Sequence, residues 1–349
     1  MNKPLFILSL CLGLSLWAAS QPSNADFNLL PRRPNARAQV VIVQEPEATV
    51  TFNPRADKIG AMVNRGITHL TGKSTPAAAW GCLVSTNDTV GIKVFSTPGT
   101  ISGTRPAVVA AVVQGLLAAG VPAKQILVWD KQLVDLRRSG FFELAERFGI
   151  RVAASADAGY DENVFYETAL LGRLVWGDFE FNLKNDKAGR RSFVSKLVTR
   201  QMTKIINVTP LLNHNLAGVS GNLYGLALGS VDNTLRFETD EGRLALAVPE
   251  ICALRELGDR VALNIVDALI CQYQGEQRGL LHYSAVLNQL RFSTDPVALD
   301  VLSIQELDRQ RQAIPATINT KTNLDLYQNA SLLEIGVSDP HHIQVETIR

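Results

Sequence analysis

Cysteine is scarce, with four in 349 residues, and no two stand at the C-x-x-C spacing that builds zinc and iron–sulfur sites. An iron–sulfur cluster is therefore not expected. Net charge is nearly absent as well. Lys+Arg number 34 against 33 Asp+Glu, a formal +1, so no global field draws the chain to nucleic acid or to anionic lipid. There is no G-x-S-x-G; Gly218-Val219-Ser220-Gly221-Asn222 departs from it, which removes the support for a serine hydrolase. Neither a Walker A loop nor G-x-G-x-x-G occurs. No internal repeat, no low-complexity segment and, past the N-terminus, no apolar run of membrane-spanning length is found.

What is present begins at the N-terminus. Asn2 and Lys3 precede an apolar run from Pro4 to Trp17, about 14 residues where a bilayer needs about 20. Ala18-Ala19-Ser20 then sets small residues before a cut at Gln21. The expectation is a cleavable secretory signal over 1–20 and a mature protein that is periplasmic or secreted, with no membrane partner after cleavage. A single anchor is the alternative; Leu10 before Cys11 argues against lipidation. Residues 21–37, with Pro22, Pro31 and Pro34, read as a disordered leader, and 38–349 as one α/β domain. With 46% hydrophobic residues against 19% charged, the chain can bury a sizeable core. An oxidising compartment allows a Cys252–Cys271 disulfide; separate buried thiols are the competing and favoured reading.

Strands are predicted at 38–43, 89–95, 126–129 and 150–153, alternating with helices that start near Asn53-Pro54 and end at Gly72, run over 106–119 with Thr104 as a cap, and span 139–148. That alternation predicts an α/β fold: a mainly parallel central sheet with flanking helices. Residues 155–192 read as an irregular insertion carrying a β-hairpin from Leu174 to Val198, turned around 185–189. Strands are expected again at 204–208, 262–266 and 289–292. A glycine-rich flexible loop opening a short helix is expected at 218–229, and helices at 249–256 and 296–309, the last capped by Asp295.

Three features could carry chemistry. Lys93 lies in a strand and must leave the core or find a partner. The loop after it, with Thr97, Gly99, Gly103 and Thr104, enters a helix and could cradle an anion, although a plain connection is the competing and favoured reading. His214, with Asn215, Gly218 and Ser220 close behind, stands at a strand-to-loop edge and could move a proton. Asp130 and Asp267 end strands, where ligands bind in open α/β sheets, and Asp295 joins them unless it only caps its helix. The expected site gathers Lys93, His214, Asp130 and Asp267 as catalytic groups around a small anionic molecule; no metal is assigned.

Four blocks carry a resemblance: GIKVFSTPGTISGTRPAVVAAVVQGLLAAGVPAKQILVWDK (91–131), NHNLAGVSGNLYGLALGSVDN (213–233), VALNIVDAL (261–269) and RFSTDPVALDVL (291–302). In this order they resemble the family catalogued as domain of unknown function 362, some of whose members are fused to ferredoxin segments. The resemblance implies an α/β fold, an exported and often single-domain form, and no agreed activity. It marks Lys93, Thr104, Pro106, Asp130, His214, Gly218, Ser220, Asp267, Asp295 and Asp300 as positions shared with the family. This chain departs from the pattern at Tyr224-Gly225, where many members have Lys-Asn, and at Glu238, where a histidine is often close by. Two functional classes follow: an enzyme or enzyme-like module acting on the anion, or a non-catalytic ligand-binding or assembly protein of the cell envelope.

Overall fold

The structure is a computed structural model that describes residues 37–184, 187–313 and 322–349. The expected signal and, Arg37 excepted, the leader lie outside the described residues, as do Asn185 and Asp186 of the expected hairpin turn.

Ten strands matter to the argument: β1 (Ala38–Gln44), β2 (Val90–Val94), β3 (Ile126–Asp130), β4 (Arg151–Ala154), β5 (Tyr160–Arg173), β6 (Ala188–Ser195), β7 (Lys204–His214), β8 (Val261–Gln272), β9 (Ser284–Ser293) and β10 (Ile343–Ile348). The central sheet has the order β10-β1-β9-β8-β7-β2-β3-β4, and Gly218–Val219 pairs back on β7. β9 is antiparallel to both neighbours; the other neighbours along this order pair parallel. β2 and β3 are buried along their whole length, as strands covered on both faces must be. The α/β expectation holds.

Helices α1 (Ala56–Thr71), α2 (Pro106–Ala118) and α3 (Phe141–Phe148) cover the face that carries Ile92, Val128, Ile206 and Ile265. Helices α4 (Asn222–Ser230), α5 (Glu241–Cys252) and α6 (Pro296–Gln312) cover the face of Trp129, Ile205 and Val266. In α1 the buried Ile59, Met62, Val63 and Ile67 form one stripe, and Gly72 ends the helix at φ 66°, a left-handed cap that glycine adopts without strain. Asp295 accepts from the Ala298 amide at 2.8 Å, the predicted cap of α6.

Several expectations need correction. The helix expected over 139–148 is α3, starting after Gly140, and a separate helix over 133–138 that was not expected precedes it. The stretch 218–229 is no flexible loop: α4 is buried at every position, so it shows no amphipathic period. The helix expected from Pro249 starts at Glu241, where Asp240 caps it, and Pro249 sits near its end. A proline there leaves the Ala245 carbonyl without its helical donor, and Asn329 Nδ2 supplies one at 3.0 Å. Thr104 does not cap α2, because its hydroxyl is committed to the Val208 carbonyl. Cys252 and Cys271 are separate buried thiols and Cys82 is exposed; burial raises the Cys271 thiol to about 11.

The inserted hairpin is real but displaced. β5 pairs antiparallel with β6 from Tyr160↔Ser195 to Arg173↔Ala188, and Leu174, the expected start, opens the connection instead. Val164, Tyr166, Thr168 and Leu170 face inward on alternate positions while Glu167, Ala169 and Leu171 are exposed, the period of a half-covered strand. Arg236 lies across this ribbon, donating to Ser192 Oγ (2.9 Å), Thr168 Oγ1 (2.8 Å) and the Tyr166 carbonyl (3.0 Å).

Candidate functional site

In the parallel half of the sheet, β8-β7-β2-β3-β4, the chain runs outward from β2 to β4 and then returns to β7 on the other side of β2. The reversal between β2 and β7 is the place where open α/β sheets bind ligands. Here the protein's own side chains occupy it. Thr104 Oγ1 donates to the Val208 carbonyl (2.8 Å) and accepts the Phe95 amide (2.9 Å), tying β2 to β7. Phe95 and Tyr224 meet edge-on with centroids 6.4 Å apart.

The two strand-end aspartates are likewise engaged within the fold. Asp130 Oδ1 accepts from Lys93 Nζ and from the Lys131 amide, both at 2.8 Å. Its Oδ2 accepts from the Ser96 amide (2.8 Å) and hydroxyl (2.7 Å). Lys93, 1% exposed, gives a further bond to the Val94 carbonyl at 2.6 Å. Asp267 receives the Arg105 backbone amide (3.1 Å) and guanidinium Nη1 (3.0 Å) just before α2. The anion expected at this helix start is thus an internal carboxylate.

In the 96–104 loop Ser96, Ser102 and Thr104 are buried, while Thr97 and Thr100 are exposed. Gly99 opens the single turn Gly99–Ser102, its amide bonds the Ser96 carbonyl, and the Gly103 and Thr104 amides bond the Gly99 and Phe95 carbonyls. Thr97 Oγ1 bonds Asp135 at 3.3 Å. The Ser96, Gly99, Gly103 and Thr104 amides are therefore already used.

His214 is elsewhere. Lys93 is level with Asn207 on β7, and His214 is seven residues further along that strand, about 23 Å of extended chain. One compact site containing Lys93, Asp130, Asp267 and His214 is not formed. The cause is that burial of Lys93 demands an ion-pair partner, which the neighbouring strand supplies in Asp130.

What His214 does form is more specific. β7 turns back at Asn215–Ala217, so that Gly218 pairs with His214. His214 Nδ1 accepts the Leu216 (3.3 Å) and Ala217 (3.1 Å) amides. With Nδ1 an acceptor, the neutral ring carries its proton on Nε2. Burial lowers the pKa below the usual histidine value, partly opposed by nearby Glu276. Tyr224 lies against the ring with centroids 4.2 Å apart.

Beside it opens a cavity of about 630 Å³ at the carboxyl edge of β7 and β8. Its walls are the β7 turn (Asn213, His214, Asn215), the segment between β8 and β9 (Tyr273, Gln274, Gly275, Arg278, Leu280, Tyr283), Glu241 of α5, Arg311 of α6, and Thr322 with Asn323. A smaller hollow of about 260 Å³ shares His214, Gly275 and Arg278. Asn213, Asn215 and Glu276 are tied together: the Asn215 amide donates to Glu276 Oε1 and the Glu276 amide to Asn213 Oδ1, both at 3.0 Å. Arg311 is anchored to Asp308 (2.6 Å) and the Tyr273 carbonyl (2.8 Å). Arg278 has no ion-pair partner among the described residues. Tyr273, Arg278 and Tyr283 carried no sequence signal beyond the polar run around Gly275.

Asp295 and Asp300 make their contacts within the fold. Asp295 Oδ1 caps α6 and its Oδ2 accepts the Val337 amide at 2.8 Å. Asp300 accepts the Asn222 amide (2.7 Å), Asn222 Nδ2 (2.8 Å) and the Leu223 amide (3.0 Å), serving the start of α4 from α6. Ser220 is fully buried and its hydroxyl has no partner. Gly218 adopts φ 79° against Thr322 and Ile304. Among the described residues no group of three or more His, Cys, Asp or Glu is gathered for a metal.

The model of the family described as domain of unknown function (DUF362) matches residues 90–305. The chain belongs to this family. The DUF362 span runs from β2 into α6 and so contains Lys93, Asp130, His214, Asp267 and Asp300, while Arg311, Thr322 and Asn323 of the cavity lie beyond it. No curated protein matches. A crystal structure of a protein from Thermotoga maritima is similar at 12% identity and a TM-score of 0.36, covering 74% of this chain and 59% of its own. The chain thus spans less than two thirds of that protein.

Proposed function

We propose that this DUF362 protein binds a small anionic molecule in the His214 cavity. The observation that carries the reading is that His214, its Nδ1 occupied and its ring held neutral by burial, has only an Nε2–H to offer, on a cavity that also holds the unpaired Arg278. A neutral imidazole donor beside a guanidinium suits a carboxylate or phosphate oxygen. An Nδ1 already accepting two amides is not available as a base, and no carboxylate bonds the ring among the described residues. The reading is therefore recognition rather than proton transfer by His214. Glu241 of α5 also lines the cavity and would select against ligands whose negative charge extends to it.

Calorimetry with a panel of small carboxylates and phosphates tests this. His214→Asn keeps an acceptor where Nδ1 stands and removes the Nε2–H; Arg278→Gln removes the charge. Each change is expected to weaken the binding anion about tenfold or more, the value of one charge-assisted hydrogen bond. Unchanged affinity in both variants refutes the site. The export reading rests on residues 1–20, and N-terminal sequencing from the envelope fraction should find a start at or close to Gln21.

A further inference from the structure

The connection between β5 and β6 turns apolar side chains outward from a rigid mount. Trp176 is 86% exposed, Leu183 64% and Leu171 58%, although the segment holding them is well fastened. Asp178 accepts the Val175 amide (2.8 Å) and the Asn233 amide (2.9 Å), and Asp232 accepts the Phe179 amide at 2.6 Å. Trp176 stands edge-on to Phe181 with centroids 6.3 Å apart. This is not a frayed loop whose apolar groups are exposed by default. An exposed indole held by buried carboxylates is built to meet something.

Charge indicates what. Arg173, Lys187 and Arg190 flank the same connection, all exposed and without an ion-pair partner among the described residues. Among the described residues of the connection the acids are covered: Asp178 is 6% exposed and Glu180 Oε2 is buried. The tip therefore presents tryptophan and leucine ringed by cations, the combination that settles into the headgroup region of an anionic bilayer.

We propose that this hairpin tip is a peripheral membrane-docking element, seating Trp176, Leu171 and Leu183 in an anionic lipid surface while Arg173, Lys187 and Arg190 hold the phosphates. The expectation of no membrane contact rested on the lack of a spanning stretch and on a net charge near zero, neither of which describes a local patch. Among the described residues no helix is long and apolar enough to cross a membrane, but lying on a surface needs no such helix.

Co-sedimentation of the purified chain with vesicles tests the proposal. The protein should pellet with vesicles of equal phosphatidylglycerol and phosphatidylcholine and stay in solution with phosphatidylcholine alone. Trp176→Ser, at a solvent-facing position that the fold does not need, should lower the partition coefficient about tenfold, since burying one large apolar side chain is worth that much. The triple change Arg173→Gln, Lys187→Gln, Arg190→Gln should remove the preference for anionic lipid. Wild type remaining in the supernatant with both vesicle types overturns the proposal, as does Trp176→Ser pelleting like wild type. A lipid-free dimer in sedimentation velocity that Trp176→Ser dissolves overturns it in favour of a second copy.

Discussion

Lys93 Nζ stands 2.8 Å from Asp130 Oδ1 on the adjacent parallel strand, and the α-carbon of Gly229 in α4 closes over the lysine stem. A Cβ at Gly229 would fall 2.2 Å from Lys93 Cε. The pair and the helix above it form one packed unit that neither cavity reaches.

Lys93→Met should cost about 3–5 kcal/mol, because it strands the Asp130 charge in the interior. Gly229→Ala should cost about 1–3 kcal/mol by overpacking. Combined, the two should cost less than their sum, since without the bond to Asp130 the methionine stem is free to turn aside from the methyl group. Urea unfolding of the four proteins checks this, and calorimetry should show unchanged affinity of Lys93→Met for the cavity's anion. Strict additivity would separate the glycine from the ion pair.

Burial raises the Asp300 carboxyl to about 7, against the pull of three N–H donors from Asn222 and Leu223. An unfolded carboxyl ionises near 3.9, so across the window from about 4 to 7 the fold holds the extra proton and loses stability as pH rises. Asp232, raised by burial to about 7, adds to this. His214, lowered by burial, acts in the opposite sense as pH falls below about 6.5. Comparison with Asp300→Asn isolates the single group: the stability gap between wild type and variant should narrow from pH 5 to pH 8. A widening gap in denaturant titrations would mean that the donors win and Asp300 is ionised in the fold.

Arg236 spans the β5–β6 ribbon through bonds to four of its residues, Tyr166, Thr168, Leu170 and Ser192. Arg236→Met keeps the stem and removes every donor. It should raise the rate of proteolysis within 160–195, through local opening of the ribbon, more than elsewhere in the chain. Mass spectrometry of early cleavage products locates the cuts. An unchanged cleavage map would show that packing alone holds the hairpin.

How far the sequence reached follows from where the determining contacts lie. α1 and α6 were legible because the stripe Ile59 to Ile67, the Gly72 stop and the Asp295-Pro296 start are local signals. α4 was not, because every residue is buried and the carboxylate serving its start, Asp300, is supplied by another helix. That Lys93 needs a partner could be read from a lysine in an apolar strand. That Asp130 satisfies it, removing both from any ligand, depends on strand register. Arg105, which neutralises Asp267, carried no signal because it reads as a loop residue before Pro106. His214 stands at the strand-to-loop edge that its position suggested, but its tautomer is set by a three-residue turn that no spacing rule describes.

Sheet order also sets a schedule for folding. β1 pairs with β9 through Val41↔Phe292 and with β10 through Ala38↔Ile343, partners that leave the ribosome roughly 250 and 300 residues later. At about 5–20 residues per second, β1 therefore waits tens of seconds without the neighbours that bury Val40, Val41 and Val43. Closing so long a loop is an entropic cost borne before those contacts form, and it slows the final step. During that interval an apolar strand stays uncovered, a period in which chaperone capture competes with completion of the sheet.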